Sequence, residues 1–281
     1  MDKKQTILTH MSFKGGSSKT CLNLSLALQY CSNYPEKRVL FIDADPQSNA
    51  TTFIFGEEQI EENLYTIQDG MINNVSIDKL IAKAPLDNFK NLDVIASCID
   101  MITLELNLFP RMGKETILLR YFNEENNKKI LSEYDLIIFD LNPAISILNT
   151  NVLLCCTDII PILNYGCYST VTGYKLLIKT YTDMKKALNI TNKDDLRKPV
   201  ITKFEKQSNK KIERWLELVE SKGILGNTFK QTMRKSVHYE NAVLFNRAIE
   251  SYIDEENIRT DIRDEISNLI NEYIKENIIN I

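Results

Sequence analysis

Residues 13–20 read FKGGSSKT. Two glycines beside a lysine and a threonine are the residue types a phosphate-binding loop uses. Gly15 and Gly16 let the backbone approach an anion. Lys19 would neutralise β- and γ-phosphate oxygens, and the Thr20 hydroxyl would ligate Mg²⁺. The standard pattern G-x-x-x-x-G-K-[ST] is not met, because Phe13 and Ser18 stand where it has glycine. An additional cation, Lys14, precedes the glycines. A glycine turn beside a surface lysine would look similar, so the loop needs support from elsewhere in the chain.

Two further stretches supply it. FIDADPQSNAT places Asp43 at the end of an apolar run, with Asp45 two residues on, so strand alternation puts both on one face. A carboxylate there can hold a metal-bound water or orient an attacking one, although Asp45-Pro46 could also simply cap a turn. LIIFDLNP ends a second apolar run in Asp140, the Walker-B arrangement in which a carboxylate supports Mg²⁺ directly or through water. Three such elements in this order, each at a strand's carboxyl end, point to one nucleotide site.

The elements that must position these residues are those of an α/β protein. QTILTH (5–10), RVLFIDAD (38–45), YDLIIFDLNP (134–143), DIIPIL (158–163) and KPVITKF (198–204) read as strands, the longer ones as central parallel strands buried on both faces. Helices are predicted at 19–32, 146–156, 168–188 and 208–222. The alternation implies a doubly wound, mostly parallel sheet flanked by helices, within a single domain spanning 1–281. Residues 57–133 form a variable region, with helical patterns in SIDKLIAKA and GKETILLRYFNEENNKKILSE and a strand in NLDVIAS. From 250 to 281 the spacing of Ile258, Ile262, Ile266, Leu269, Ile270, Tyr273 and Ile274 predicts a C-terminal helix with an acidic outer face.

The 281 residues are 43% hydrophobic and 26% charged, ordinary for a globular protein. No run of 18 apolar residues occurs, and MDKKQTILTH lacks a signal-peptide core, which predicts a cytoplasmic location. The cysteines at 21, 31, 98, 155, 156 and 167 match no zinc or disulfide spacing and are expected to be reduced, buried thiols. Net charge is −4, but unevenly spread. Arg197 to His238 holds eleven Lys/Arg against four Asp/Glu, whereas Glu250 to the end holds three against nine. The basic segment is a candidate anion-binding face, or else a solvated helix surface.

The chain resembles the ParA/MinD group of P-loop ATPases, whose deviant Walker A box is K-G-G-x-x-K-[ST]. Lys14, Gly15, Gly16, Lys19 and Thr20 match that box. DADPQSNAT is similar to the partition ATPases, as are YDLIIFDLNPAIS, TDIIPILNYGCYSTVTGYKLL and KQTMRKSVHYENAVLFNRAIESY. The resemblance implies an ATP site made by Lys14, Gly15, Gly16, Ser17, Ser18, Lys19, Thr20 and Cys21. Catalytic roles fall to Lys14, Lys19 and Asp45, with Mg²⁺ supported by Thr20, Asp43 and Asp140. Lys14 would act across a homodimer on the partner's nucleotide. The family reading further implies slow, partner-stimulated hydrolysis, a ParB-like centromere-binding partner and a nucleoid-associated location. It also implies non-specific DNA contacts through Lys203, Lys206, Lys210, Lys211, Arg214, Arg234 and Lys235. The short lead-in before the loop predicts no site-specific operator binding by this chain. Two departures stand out: Ser18 replaces a glycine, and Asn142 replaces a proline.

Other members of the superfamily supply the alternatives. A MinD-like membrane switch would need basic residues beside the apolar face of its last helix. A reductase would need cysteines to hold an Fe–S cluster, and Cys155, Cys156 and Cys167 lie in apolar or helical context. A nucleotide-binding switch with little hydrolysis is motivated by Ser18.

Overall fold

The computed structural model describes residues 5–56, 64–190, 195–206, 209–258 and 260–280. Within these, eight strands form one sheet in the order β3-β4-β2-β5-β1-β6-β7-β8. They are β1 (Thr6–Met11), β2 (Val39–Asp43), β3 (Ala82–Lys83), β4 (Leu92–Ile95), β5 (Leu136–Asp140), β6 (Asp158–Asn164), β7 (Val200–Phe204) and β8 (Thr232–Arg234). All pairings are parallel except β3 with β4, a two-residue antiparallel edge.

The central strands are apolar throughout because both faces are covered. Phe41 and Ile138 point into one hydrophobic cluster with the helix Lys19–Asn33 and the C-terminal segments. Leu40, Ile42, Ile137 and Phe139 point into the other, with helices Ile147–Cys155 and Tyr168–Ala187. Period-two alternation thus feeds two cores and no solvent face. The fold class expected from the sequence is the one observed.

The structure departs from expectation where elements are short. The stretch expected as one helix over 113–133 is two, Ile117–Asn123 and Glu125–Leu131, broken at Glu124, whose ψ of 138° is not helical. SIDKLIAKA gives a four-residue helix, Ile77–Leu80, and then β3. The helix expected to fill 250–281 is also two, Ile249–Glu255 and Glu265–Lys275. Asn257, at φ 52°, turns the chain between them, and Ile262 packs into the core from the connection rather than from a helix. Apolar spacing reports burial, and an irregular segment laid on a core can imitate helical spacing. The helix expected from residue 208 begins at Lys210, capped by the Asn209 side chain, which accepts from the amides of Lys211 and Ile212 at 3.0 and 3.1 Å; residues 207–208 lie outside the described set. Of the six thiols, Cys31, Cys155 and Cys156 are buried, while Cys21, Cys98 and Cys167 are half-buried.

Helix Ile67–Asn73 lies against Tyr121 so closely that a Cβ on Gly70 would fall 2.6 Å from the ring's Cζ. The ring is pinned, since its hydroxyl donates to the Val75 carbonyl at 2.5 Å. Gly70→Ala is therefore expected to destabilise the protein by roughly 1–3 kcal/mol through overpacking, read as a lower urea midpoint at unchanged slope.

Candidate active site

The loop of residues 12–18 leaves β1 and enters helix Lys19–Asn33. Its bends are made by Gly16 at φ 67° and Ser18 at φ 66°. Ser18 keeps the left-handed conformation a glycine would adopt, so the substitution costs backbone strain of about 1 kcal/mol while preserving the loop's path. The helix has no acidic residue in its first turn and no side-chain cap, which leaves its first N–H groups and its positive end to an anion. Gly15 through Cys21 line a cavity of about 440 Å³.

Lys19 is only 7% exposed. Its ammonium donates at 3.3 Å to the Ser12 carbonyl and at 3.5 Å to Ser17 Oγ. Burial lowers its pKa, opposed by the fields of Asp140 and Asp45. A desolvated cation with two long neutral partners is poised for a phosphate. Lys14 is exposed and lies outside the cavity lining.

Asp43 and Asp140 end adjacent strands in register, both buried. Burial holds both carboxyls above the usual carboxylate range, and the field of Asp140 adds to the effect at Asp43. Their hydrogen bonds separate their roles. Asp43 Oδ1 accepts the Asp45 amide at 3.1 Å, and Oδ2 accepts the Thr51 amide at 2.9 Å and the Thr51 hydroxyl at 2.8 Å. That carboxylate is committed to shaping residues 44–51. Asp140 Oδ1 accepts from Asn23 Nδ2 at 2.8 Å, while Oδ2 is buried without a hydrogen-bond partner among the described residues. An orphaned carboxylate oxygen near the Thr20 hydroxyl and a phosphate loop fits Mg²⁺, which takes few protein ligands and completes its shell from water and phosphate. Thr20 and Asp140 fit that role better than Asp43.

Asp45 lines the cavity, steadied by the Gln47 amide on its Oδ1 at 2.9 Å and by Ser97 Oγ on its carbonyl at 2.6 Å. Asn142 replaces a proline's rigidity with hydrogen bonds: its Oδ1 accepts the Ala144 amide and Asn149 Nδ2, each at 3.0 Å.

A family model described as an AAA domain matches residues 5–194. The chain is 32% identical over 181 residues to the cell division protein PomZ of Myxococcus xanthus, covering 64% of this chain and 52% of that protein. It is 30% identical over 178 residues to the sporulation initiation inhibitor protein Soj of Bacillus subtilis, covering 63% and 64%. The chain belongs to the ParA-type partition ATPases of the ParA/MinD superfamily. It spans about half to two thirds of the length of these relatives.

Solved structures agree on the ParA-type fold. A Borrelia burgdorferi plasmid partition protein bound to AMPPNP superposes with a TM-score of 0.73 at 23% identity, over 97% of this chain and 100% of that one. McdA of Cyanothece in complex with ATP gives 0.77 at 16%, over 99% and 98%. Cobyrinic acid a,c-diamide synthase from Mycobacterium smegmatis, with ADP and magnesium, gives 0.65 at 18%, over 92% and 98%.

In this ParA-type chain the basic candidates separate. Lys203, at φ 55° on a β7 bulge, lines the same cavity as Lys19. Arg234 is held by Asp261 and Glu265, with its Nη2 on the Asp261 carbonyl at 2.7 Å. Lys206 pairs with Asp261 at 2.5 Å and Lys235 with Glu205 at 2.9 Å. Lys210, Lys211 and Arg214 are exposed on one helix. Sequence reasoning missed the cavity wall formed by Asn49, Phe53, Pro143, Glu240 and Val243. These residues come from three separate segments, and no local signature marks them as lining one cavity.

The raised carboxyls fix a pH dependence. A fold that favours the protonated form has that stability in full below the unfolded pKa and loses it as pH rises through the raised folded pKa. Asp140→Asn is therefore expected to stabilise the nucleotide-free protein by roughly 1–3 kcal/mol above neutral pH, and little near pH 4. Denaturant titrations at the two pH values check this; equal effects at both would contradict it.

Proposed function

We propose that the chain is a Mg²⁺-dependent ATPase for DNA partition: ATP drives a homodimer, the dimer binds DNA non-specifically, and a ParB-like partner stimulates slow hydrolysis that releases it. The observation that carries the reading is the convergence on one cavity of an uncapped helix start, the buried Lys19 and Asp45, with Asp140 buried beside Thr20 and Lys14 outside the lining. Magnesium, when bound, supplies charge neutralisation between phosphate oxygens. Thr20 and Asp140 would hold it, Asp43 fixes the loop that carries Asp45, and Asp45 would orient the attacking water. Lys19 takes the β- and γ-oxygens. A cation beside its own cavity but not in it suits Lys14 to a second subunit's phosphates.

Lys210, Lys211 and Arg214 are the favoured DNA-phosphate contacts, because their charges have no acidic partner among the described residues. Lys206 and Lys235 contribute less while ion-paired, and Arg234 serves the fold. The apolar face of the last helix, Ile266, Leu269, Ile270 and Tyr273, is buried in the core. That packing supports DNA over membrane as the partner, and no helix of the described residues is long and apolar enough to cross a bilayer. The location that follows is cytoplasmic and nucleoid-associated.

Electrophoretic shifts of unrelated DNA duplexes test the proposal. A shift is expected with ATP or a slow ATP analogue, none with ADP, and a steep loss with added salt; a nucleotide-independent or absent shift refutes DNA as the ATP-state partner. Lys14→Ala is expected to abolish turnover, by at least about a hundred-fold, while monomer nucleotide affinity persists. Loss of nucleotide binding in that variant would contradict action in trans.

A further inference from the structure

A buried chain of side chains runs from Asp140 to the last helix. Asn23 Nδ2 donates to Asp140 Oδ1 at 2.8 Å. Asn23 Oδ1 lies 2.7 Å from His10 Nδ1, and His10 Nε2 lies 2.9 Å from the Tyr273 hydroxyl. His10, Asn23 and Tyr273 are fully buried, and Asp140 is 1% exposed.

The chemistry fixes the direction of every proton. The Asn23 amide nitrogen lies 2.8 Å from Asp140 Oδ1 and 3.4 Å from the Phe139 carbonyl oxygen, which can only accept, so its own oxygen faces His10. His10 Nδ1 therefore carries the hydrogen. Burial pushes the His10 pKa down to about 4, so the ring is neutral and Nε2 is an acceptor. The Tyr273 hydroxyl must then donate, and burial keeps that phenol protonated by raising its pKa. All three donors point toward Asp140, and aligned hydrogen bonds of this kind polarise one another.

We propose that His10 and Tyr273 are positioning residues for Asp140: acting through Asn23, they hold Oδ1 so that Oδ2 is left for the cation, and they tie that orientation to the packing of helix Glu265–Lys275. The proposal rests on the magnesium–ATP reading above. The same helix steadies the far wall of the cavity. Glu265 accepts the Tyr239 hydroxyl at 2.5 Å, and Tyr239 lies on the helix that presents Glu240 and Val243 to the cavity. Outer-shell partners of this kind set how well a ligand oxygen is aimed.

Two measurements test it. Nitrogen-15 NMR of the imidazole in nucleotide-free wild-type protein should show His10 protonated at Nδ1 and bare at Nε2; the opposite tautomer overturns the chain whatever the enzyme does. Magnesium titrations of protein loaded with a fluorescent ATP analogue should show affinity for the ion falling about ten-fold in Asn23→Leu and by a smaller factor in Tyr273→Phe. Nucleotide affinity in EDTA should stay unchanged. Tyr273→Phe keeps the ring that packs on Phe229, so it answers even if Asn23→Leu does not fold. A wild type whose nucleotide affinity ignores magnesium overturns the parent reading. A wild type that responds, with variants responding equally, overturns this proposal alone.

Discussion

Two carboxylates in register at the ends of adjacent central strands are the constraint around which the rest is built. Desolvating two like charges this close is unfavourable. The structure manages the cost by giving the two groups different tasks. Asp43 is saturated by Thr51 and the Asp45 amide, and so shapes the loop that presents Asp45. Asp140 is less committed: the Thr20 hydroxyl, Asn23 and the nearby Lys19 cation offset its burial.

Around that centre, distant segments act as supports. The region 57–133 sends Glu105 to the start of helix Ile147–Cys155, where its carboxylate accepts the Ile147 and Leu148 amides at 3.0 and 2.9 Å. A carboxylate there satisfies orphan amides and suits the positive end of the helix. It steadies the segment that follows Asp140. The same region sends Ser97 to the Asp45 carbonyl. A stretch without a recognisable motif therefore braces both strand-end loops.

The charge asymmetry along the chain is partly cancelled in space. The acidic end folds back on the basic segment, pairing Asp261 with Arg234 and Lys206, Glu265 with Arg234, and Glu276 with Lys198. The exposed pairs are screened by solvent and contribute little to stability. Their larger consequence is subtractive, since only part of the basic segment remains for an external anion. Composition counted eleven cations, whereas the fold leaves Lys210, Lys211, Arg214, Lys222 and Lys230 exposed and without an acidic partner among the described residues.

The sequence alone determined the parallel sheet, the glycine–lysine loop after the first strand and the two strand-end carboxylates. Each rests on a local signal: apolar runs long enough for a strand buried on both faces, glycines beside a lysine, and acids at strand ends. What the tertiary structure decided is which groups those residues meet. Lys203 reads as one more cation in a basic run, and a bulge turns it into the cavity. His10 reads as the end of a strand, and burial between Asn23 and Tyr273 makes it part of a hydrogen-bonded chain across 263 positions. The short helices of 57–133 and the split C-terminal helix escaped prediction for the same reason. Their boundaries are set by packing against distant side chains, and spacing along the chain reports which residues are buried but not what buries them.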